Sequence, residues 1–265
     1  MSRSRQLTRL SVLAVLGCAA VYVVAFGTSW GLELDARAVP EDVNGAAWER
    51  AHQAFWRVLD TIHVATIALA ACVAVLVALR RGRRDLVPVV LLTFGGANVT
   101  TFVLKPLLAR ADPLGGEAVR GIDVAFPSGH STVAMSFALV AVMVAPRRWR
   151  AWVAAAGATY AASVGVGTVL TTWHYPSDVV GGFLVATAWA AASAAIFLSR
   201  RDAPAPKLDR RPYAVGAAVA LAAALLLLVP ASELAHGVFA ATAVAIAAIA
   251  LVLPVGLTLV LARRL

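Results

Sequence analysis

Two short polar islands interrupt the long apolar runs of this chain: Pro127-Ser128-Gly129-His130 and His174-Tyr175-Pro176-Ser177-Asp178. The first puts backbone N–H groups and a hydroxyl at the expected start of an apolar helix, where unpaired N–H groups and the helix dipole favour an anion. The second sets a histidine four residues before an aspartate. With Pro176 at a first helical position, this spacing predicts that His174 and Asp178 meet across one turn. Two histidines, a carboxylate and an anion cradle are equipment for phosphoryl transfer through a histidine nucleophile. Lys105, at the end of another apolar run, adds a cation for the charge of the phosphate oxygens. Taken alone, such a lysine would simply snorkel to a membrane boundary.

These residues need elements to hold them, and composition says which. The chain has 265 residues, 61% of them hydrophobic and 14% charged, with mean hydropathy +0.82. Several stretches reach the roughly 20 apolar residues that a membrane span requires. An all-α, polytopic membrane helix bundle is therefore expected, with no separate soluble domain. Eight spans are predicted, about Leu10–Trp30, Leu59–Leu79, Leu86–Leu104, Ser131–Val144, Ala151–Leu170, Ser177–Leu198, Tyr213–Val229 and Gly237–Leu261. The net charge of +9 comes from short arginine-rich segments at the N-terminus, 80–84, 147–150, 200–211 and the C-terminus. These read as cytoplasmic markers rather than as a nucleic-acid surface. Eight spans with both termini cytoplasmic satisfy that rule at every loop. Lys105, His130, His174 and Asp178 then fall on one side of the membrane, the outer one.

Other polar residues have plainer expected roles. Cys18 and Cys72 lie in apolar spans, with neither a disulfide framework nor zinc-type spacing. Val15-Leu16-Gly17-Cys18 loosely resembles a lipoprotein cleavage site, but the apolar run continues past it and favours an uncleaved span. Residues 31–58 are the longest polar connection, with Trp48, Phe55 and Trp56 among the charges. They suit an amphipathic surface helix or a solvated loop with aromatic anchors. His63 is expected to be structural, or else to border the pocket. Gly95-Gly96-Ala97 should permit close helix contact, and Asn98 should bond a neighbouring helix. Glu233 and His236 read as an ordinary turn. The preference for Arg and Ala points to a GC-rich bacterial genome.

The set resembles the type-2 phosphatidic acid phosphatase family, integral membrane lipid phosphatases related to vanadium haloperoxidases. The family signature has three parts: a lysine followed after six residues by Arg-Pro; Pro-Ser-Gly-His; and Ser-Arg followed by a histidine and, four residues later, an aspartate. Lys105 and Pro113 match the first, residues 127–130 the second without change, and His174 and Asp178 the third. Both motif arginines are replaced, by Asp112 and Thr168. Neutral groups do not replace a guanidinium fork in kind, and a carboxylate at 112 would repel phosphate. Arg110, Arg120 and the hydroxyl of Thr168 are candidate substitutes.

The resemblance implies a six-span lipid phosphatase-like domain over 1–198, with 199–265 forming a basic connector and two additional transmembrane helices. It implies His174 as nucleophile, Asp178 as its orienting carboxylate and His130 as proton donor to the leaving oxygen. It gives Lys105, Ser128 and Gly129 the phosphate oxygens, with no metal or cofactor. The expected partner is a lipid phosphate substrate in a plasma (inner) membrane: a polyprenyl diphosphate, a phosphatidate-like lipid or a polyprenyl-linked sugar phosphate. The loss of the arginines motivates an alternative, a non-catalytic lipid-binding or scaffolding protein on the same fold. An ion-coupled transporter fits less well, since such proteins place polar breaks near the midplane and here they lie at one rim.

Overall fold

The computed structural model describes residues 3–39, 46–108, 126–198 and 237–262. Among these the chain forms nine α-helices and no strand: α1 (Arg3–Gly27), α2 (Ser29–Arg37), α3 (Ala46–Asp60), α4 (Val64–Arg80), α5 (Leu86–Leu108), α6 (Gly129–Val144), α7 (Arg150–Leu170), α8 (Pro176–Leu198) and α9 (Gly237–Ala262). The all-α membrane bundle expected from composition is what the chain adopts. Five helices are long and apolar enough to cross a membrane, and a sixth crossing results if α3 and α4 are one bent span. The predicted span at Tyr213–Val229 lies outside the described residues.

Three predicted spans have different bounds. The run Leu10–Trp30 is broken after Gly27, because Thr28 caps α2 by accepting from the Gly31 N–H at 3.0 Å. The chain then folds back so tightly that a Cβ on Gly31 would lie 2.0 Å from the Val24 carbonyl oxygen. The run Leu59–Leu79 is broken at residues 61–63, with a 61° bend between α3 and α4. The cause is a capping box: His63 accepts from the Thr66 N–H, and the Thr66 hydroxyl accepts from the His63 N–H at 3.1 Å. His63 is thus structural. Finally, α5 runs past the predicted end at Leu104, carrying Lys105 within its last two turns and Pro106 behind it.

α8 is the most buried of the candidate spans, and α1, α5, α6, α7 and α9 pack around it. Between helices in lipid there is no hydrophobic drive, so close packing of small residues holds the bundle, and interhelical hydrogen bonds add only about 0.6 kcal/mol each. Ala134, Ala154, Ala161, Ala186, Ala190 and Ala194 are fully buried accordingly. Gly96 lets Trp189 lie against α5, and the Trp189 indole N–H donates to Thr100 at 2.9 Å. Among the described residues, Asn98 bonds no neighbouring helix. Its amide donates to the Phe94 carbonyl of its own helix at 2.7 Å, while Thr93 with Ser193 and Thr101 with Thr132 join Thr100 in bonding α5 to its neighbours.

The two glycine environments predict opposite outcomes. A Cβ on Gly157 of α7 would lie 2.9 Å from the Ala138 Cα of α6, whereas a Cβ on Gly95 meets nothing within 4 Å among the described residues. Gly157→Ala should destabilise the detergent-solubilised protein by about 1–3 kcal/mol. Gly95→Ala should be stabilising by about 0.5–1 kcal/mol through helix propensity. Unfolding equilibria of the two variants check this.

Candidate active site

The site lies where the N-termini of α6 and α8 meet. On the α6 side, Ser128 is the N-cap, its hydroxyl oxygen accepting from the Ser131 N–H at 3.3 Å. That use as an acceptor leaves the hydroxyl proton to donate elsewhere. The Ser128 carbonyl takes both the N–H and the hydroxyl of Thr132, at 3.0 and 2.8 Å. Its own N–H donates to the Asp178 carbonyl at 2.9 Å, which ties the two islands together.

Two glycines make that tie possible. A Cβ on Gly182 of α8 would lie 2.6 Å from the Ser128 carbonyl oxygen, and one on Gly181 would lie 2.4 Å from the Phe126 ring. Phe126 packs in turn against Tyr22 and Phe26 of α1, with ring centroids 5.4 and 5.5 Å away. The loop before α6 is thereby held between α1 and α8. Gly181-Gly182 was readable as a close-approach signal one turn after Asp178.

On the α8 side the helix begins as its sequence dictates, with Tyr175 as N-cap and Pro176 first. Asp178, third in the helix, reaches back to accept from the Tyr175 N–H at 3.1 Å, one half of a capping box. The same oxygen meets His174 Nδ1 at 3.1 Å. His174 is 6% exposed and Asp178 fully buried. An ionised carboxylate only accepts, so Nδ1 carries the imidazole proton and Nε2 presents its lone pair.

The turn that delivers His174 is a Schellman motif at the end of α7. The Trp173 N–H donates to the Thr168 carbonyl at 2.9 Å and the Thr172 N–H to the Val169 carbonyl at 3.1 Å. Thr172 takes the left-handed position, φ 59°, normally glycine's. The Thr168 carbonyl also accepts from the His174 N–H at 3.1 Å. The Thr168 hydroxyl, expected to face substrate, instead donates to the Gly165 carbonyl at 2.8 Å. It is committed to its own helix, as hydroxyls within helices often are, and what Thr168 gives the site is its carbonyl.

Two predicted residues complete the cluster. Lys105 reaches over the start of α6, so that a Cβ on Gly129 would lie 3.8 Å from its Nζ. His130 lies within electrostatic reach of both His174 and Lys105. Arg110 and Arg120, like Asp112 and Pro113, lie outside the described residues. The site thus brings together Lys105, Ser128, Gly129, His130, His174 and Asp178.

Residues the sequence reading missed surround them. Trp173 sits 5.3 Å from the His130 ring, and Trp56 meets Trp173 edge-on at 4.5 Å. Phe55 beside it fills the space over Gly167. Phe55 and Trp56 of α3, read as interface anchors, therefore wall the site. Asp35 of α2 accepts from the Ser177 N–H at 3.1 Å and from its hydroxyl. No local pattern announces that contact.

The model of the PAP2 superfamily matches residues 61–202. The matched stretch contains every described site residue predicted from sequence and leaves out all of α1, α2, α3 and α9. No curated protein and no solved structure matches the chain.

Thr172→Gly should relieve the left-handed strain and raise stability by about 1 kcal/mol, with the Schellman turn retained. Thermal unfolding in detergent would show a higher midpoint. A lower midpoint would mean that the methyl and hydroxyl of Thr172 do more for the turn than the strain takes away.

Proposed function

We propose, from the premise that the chain belongs to the PAP2 superfamily, whose members hydrolyse phosphoesters, that this multi-pass membrane protein removes phosphate from a lipid phosphate or diphosphate through a phosphohistidine. The observation that carries the reading is the buried contact of His174 Nδ1 with Asp178, 3.1 Å long, set beside the N-terminus of α6 and the Lys105 ammonium. His174 Nε2 attacks phosphorus while the bond to the leaving oxygen breaks, and His130, charged once the phosphate anion lies beside it, gives its proton to that oxygen. Water then attacks the phosphohistidine. His130 takes the water proton, the N–P bond breaks, and inorganic phosphate leaves. Asp178 fixes the tautomer and steadies the imidazolium in between. Lys105, the Ser128 hydroxyl and the first N–H groups of α6 stabilise the phosphate oxygens as charge spreads over them.

The aromatic wall supports an apolar leaving group, because Trp173 lies against the histidine assigned to the leaving oxygen and Trp56 packs behind Trp173. Polyprenyl diphosphates, phosphatidate-like lipids and polyprenyl-linked sugar phosphates share that plan. Arginine clusters at 80–84 and 147–150 support a bacterial plasma (inner) membrane topology with cytoplasmic termini and an extracytoplasmic site. One observation favours the second reading, a lipid-binding or scaffolding protein without catalysis. Thr168 stands where the family signature has an arginine, and its hydroxyl is turned back to Gly165.

Phosphate release from lipid phosphates and diphosphates in liposomes separates the two. His174→Ala should abolish release, and His130→Ala should lower kcat by about 10²–10⁴-fold. Trp173→Ala should raise KM for long-chain substrates more than for short-chain ones. Folded protein that releases no phosphate from any member of the panel would establish the non-catalytic reading.

A further inference from the structure

We propose that Asp35 is a positioning residue that keeps the Asp178 carboxylate on His174; its catalytic consequence rests on the functional reading above. α2 carries two carboxylates with different surroundings. Glu33 is exposed and pairs with Arg37 on its own helix. Asp35 turns inward, onto a residue 142 positions away, and takes both donors of Ser177. Ala38 and Val39, just beyond α2, are buried, so the end of α2 is anchored rather than draped on the surface.

The donors at the start of α8 are fully allotted. Pro176 has no N–H. The Tyr175 N–H goes to Asp178 Oδ2, the Asp178 N–H to the Tyr175 carbonyl, and the Ser177 N–H and hydroxyl to Asp35. One acceptor is left over: Asp178 Oδ1 is buried and has no hydrogen-bond partner among the described residues. A buried unpaired acceptor beside freed donors is a costly combination that side chains move to relieve. Without Asp35, Ser177 would offer two unpaired donors one residue from that oxygen. The Asp178 carboxylate would rotate toward them and away from His174 Nδ1. Asp35 therefore does for Asp178 what Asp178 does for His174: it fixes which partner the group serves.

The test uses the purified full-length chain in detergent. The first readout is the downfield imidazole Nδ1–H proton resonance of His174, assigned by its loss in His174→Ala. It should be present in the native protein and in the control Glu33→Gln, and weakened or shifted upfield in Asp35→Ala. The second is phosphate release. Asp35→Ala should lower kcat about 10–100-fold with KM changed less than about twofold. Asp35→Asn, which keeps an acceptor oxygen, should recover part of the loss. In an Asp178→Asn background Asp35→Ala should cost little more, since coupled residues are not additive. An unchanged resonance in folded Asp35→Ala would overturn the proposal, as would losses that add fully across the two positions. A native protein that releases no phosphate defeats the functional reading instead, and the resonance still decides the role of Asp35.

Discussion

The site depends on one backbone hydrogen bond, from the Ser128 N–H to the Asp178 carbonyl. It draws together the N-termini of two apolar helices, each carrying about half a positive charge. Like ends repel in a medium of low dielectric, so the junction holds only with compensating negative charge. Asp178 supplies it from within α8 and Asp35 from α2. The remaining positive field, with Lys105 at its edge, is what an anion meets. Gly181 and Gly182 are the steric condition, because any side chain there would hold the loop off α8.

What could be read from sequence was whatever is local. His174 and Asp178 are one helical turn apart, and Pro176 fixes where that turn starts, so their pairing followed from spacing. Ser128 as an N-cap followed from residue type. The elements themselves followed from runs of apolar residues, within a few residues at most ends. The failures share a cause as well. The predicted span 59–79 carried Asp60, Thr61 and His63 at its start, and the break there rests on His63, which is not a common N-cap. Thr168 and Asn98 were given outward partners because their types can reach them, yet each satisfies itself on its own helix. Asp35 and Trp56 act across more than a hundred residues of chain, and no periodicity encodes such a pairing.

Polarity and packing are divided between the two ends of the fold. Around α8 the middle of the bundle is alanine, glycine and valine, with a few hydroxyls bonded in pairs or to their own helices. The described ionisable groups of the site all sit at one rim. Close-packed small residues give a stiff frame, and the rim residues inherit their positions from it. This explains why α1 matters to the site without contributing chemistry: Tyr22 and Phe26 hold Phe126, and Phe126 leads directly into Pro127.

The length of α6 has a consequence for depth. Sixteen residues rise about 24 Å, while the hydrocarbon layer is about 30 Å thick. The exposed Arg147, Arg148 and Trp149 just beyond its C-terminus are boundary residues by type. An upright α6 alone is about 6 Å shorter than that layer, and the residues leading to Arg147 must make up the difference if its N-terminus, with His130, is to reach the opposite headgroups.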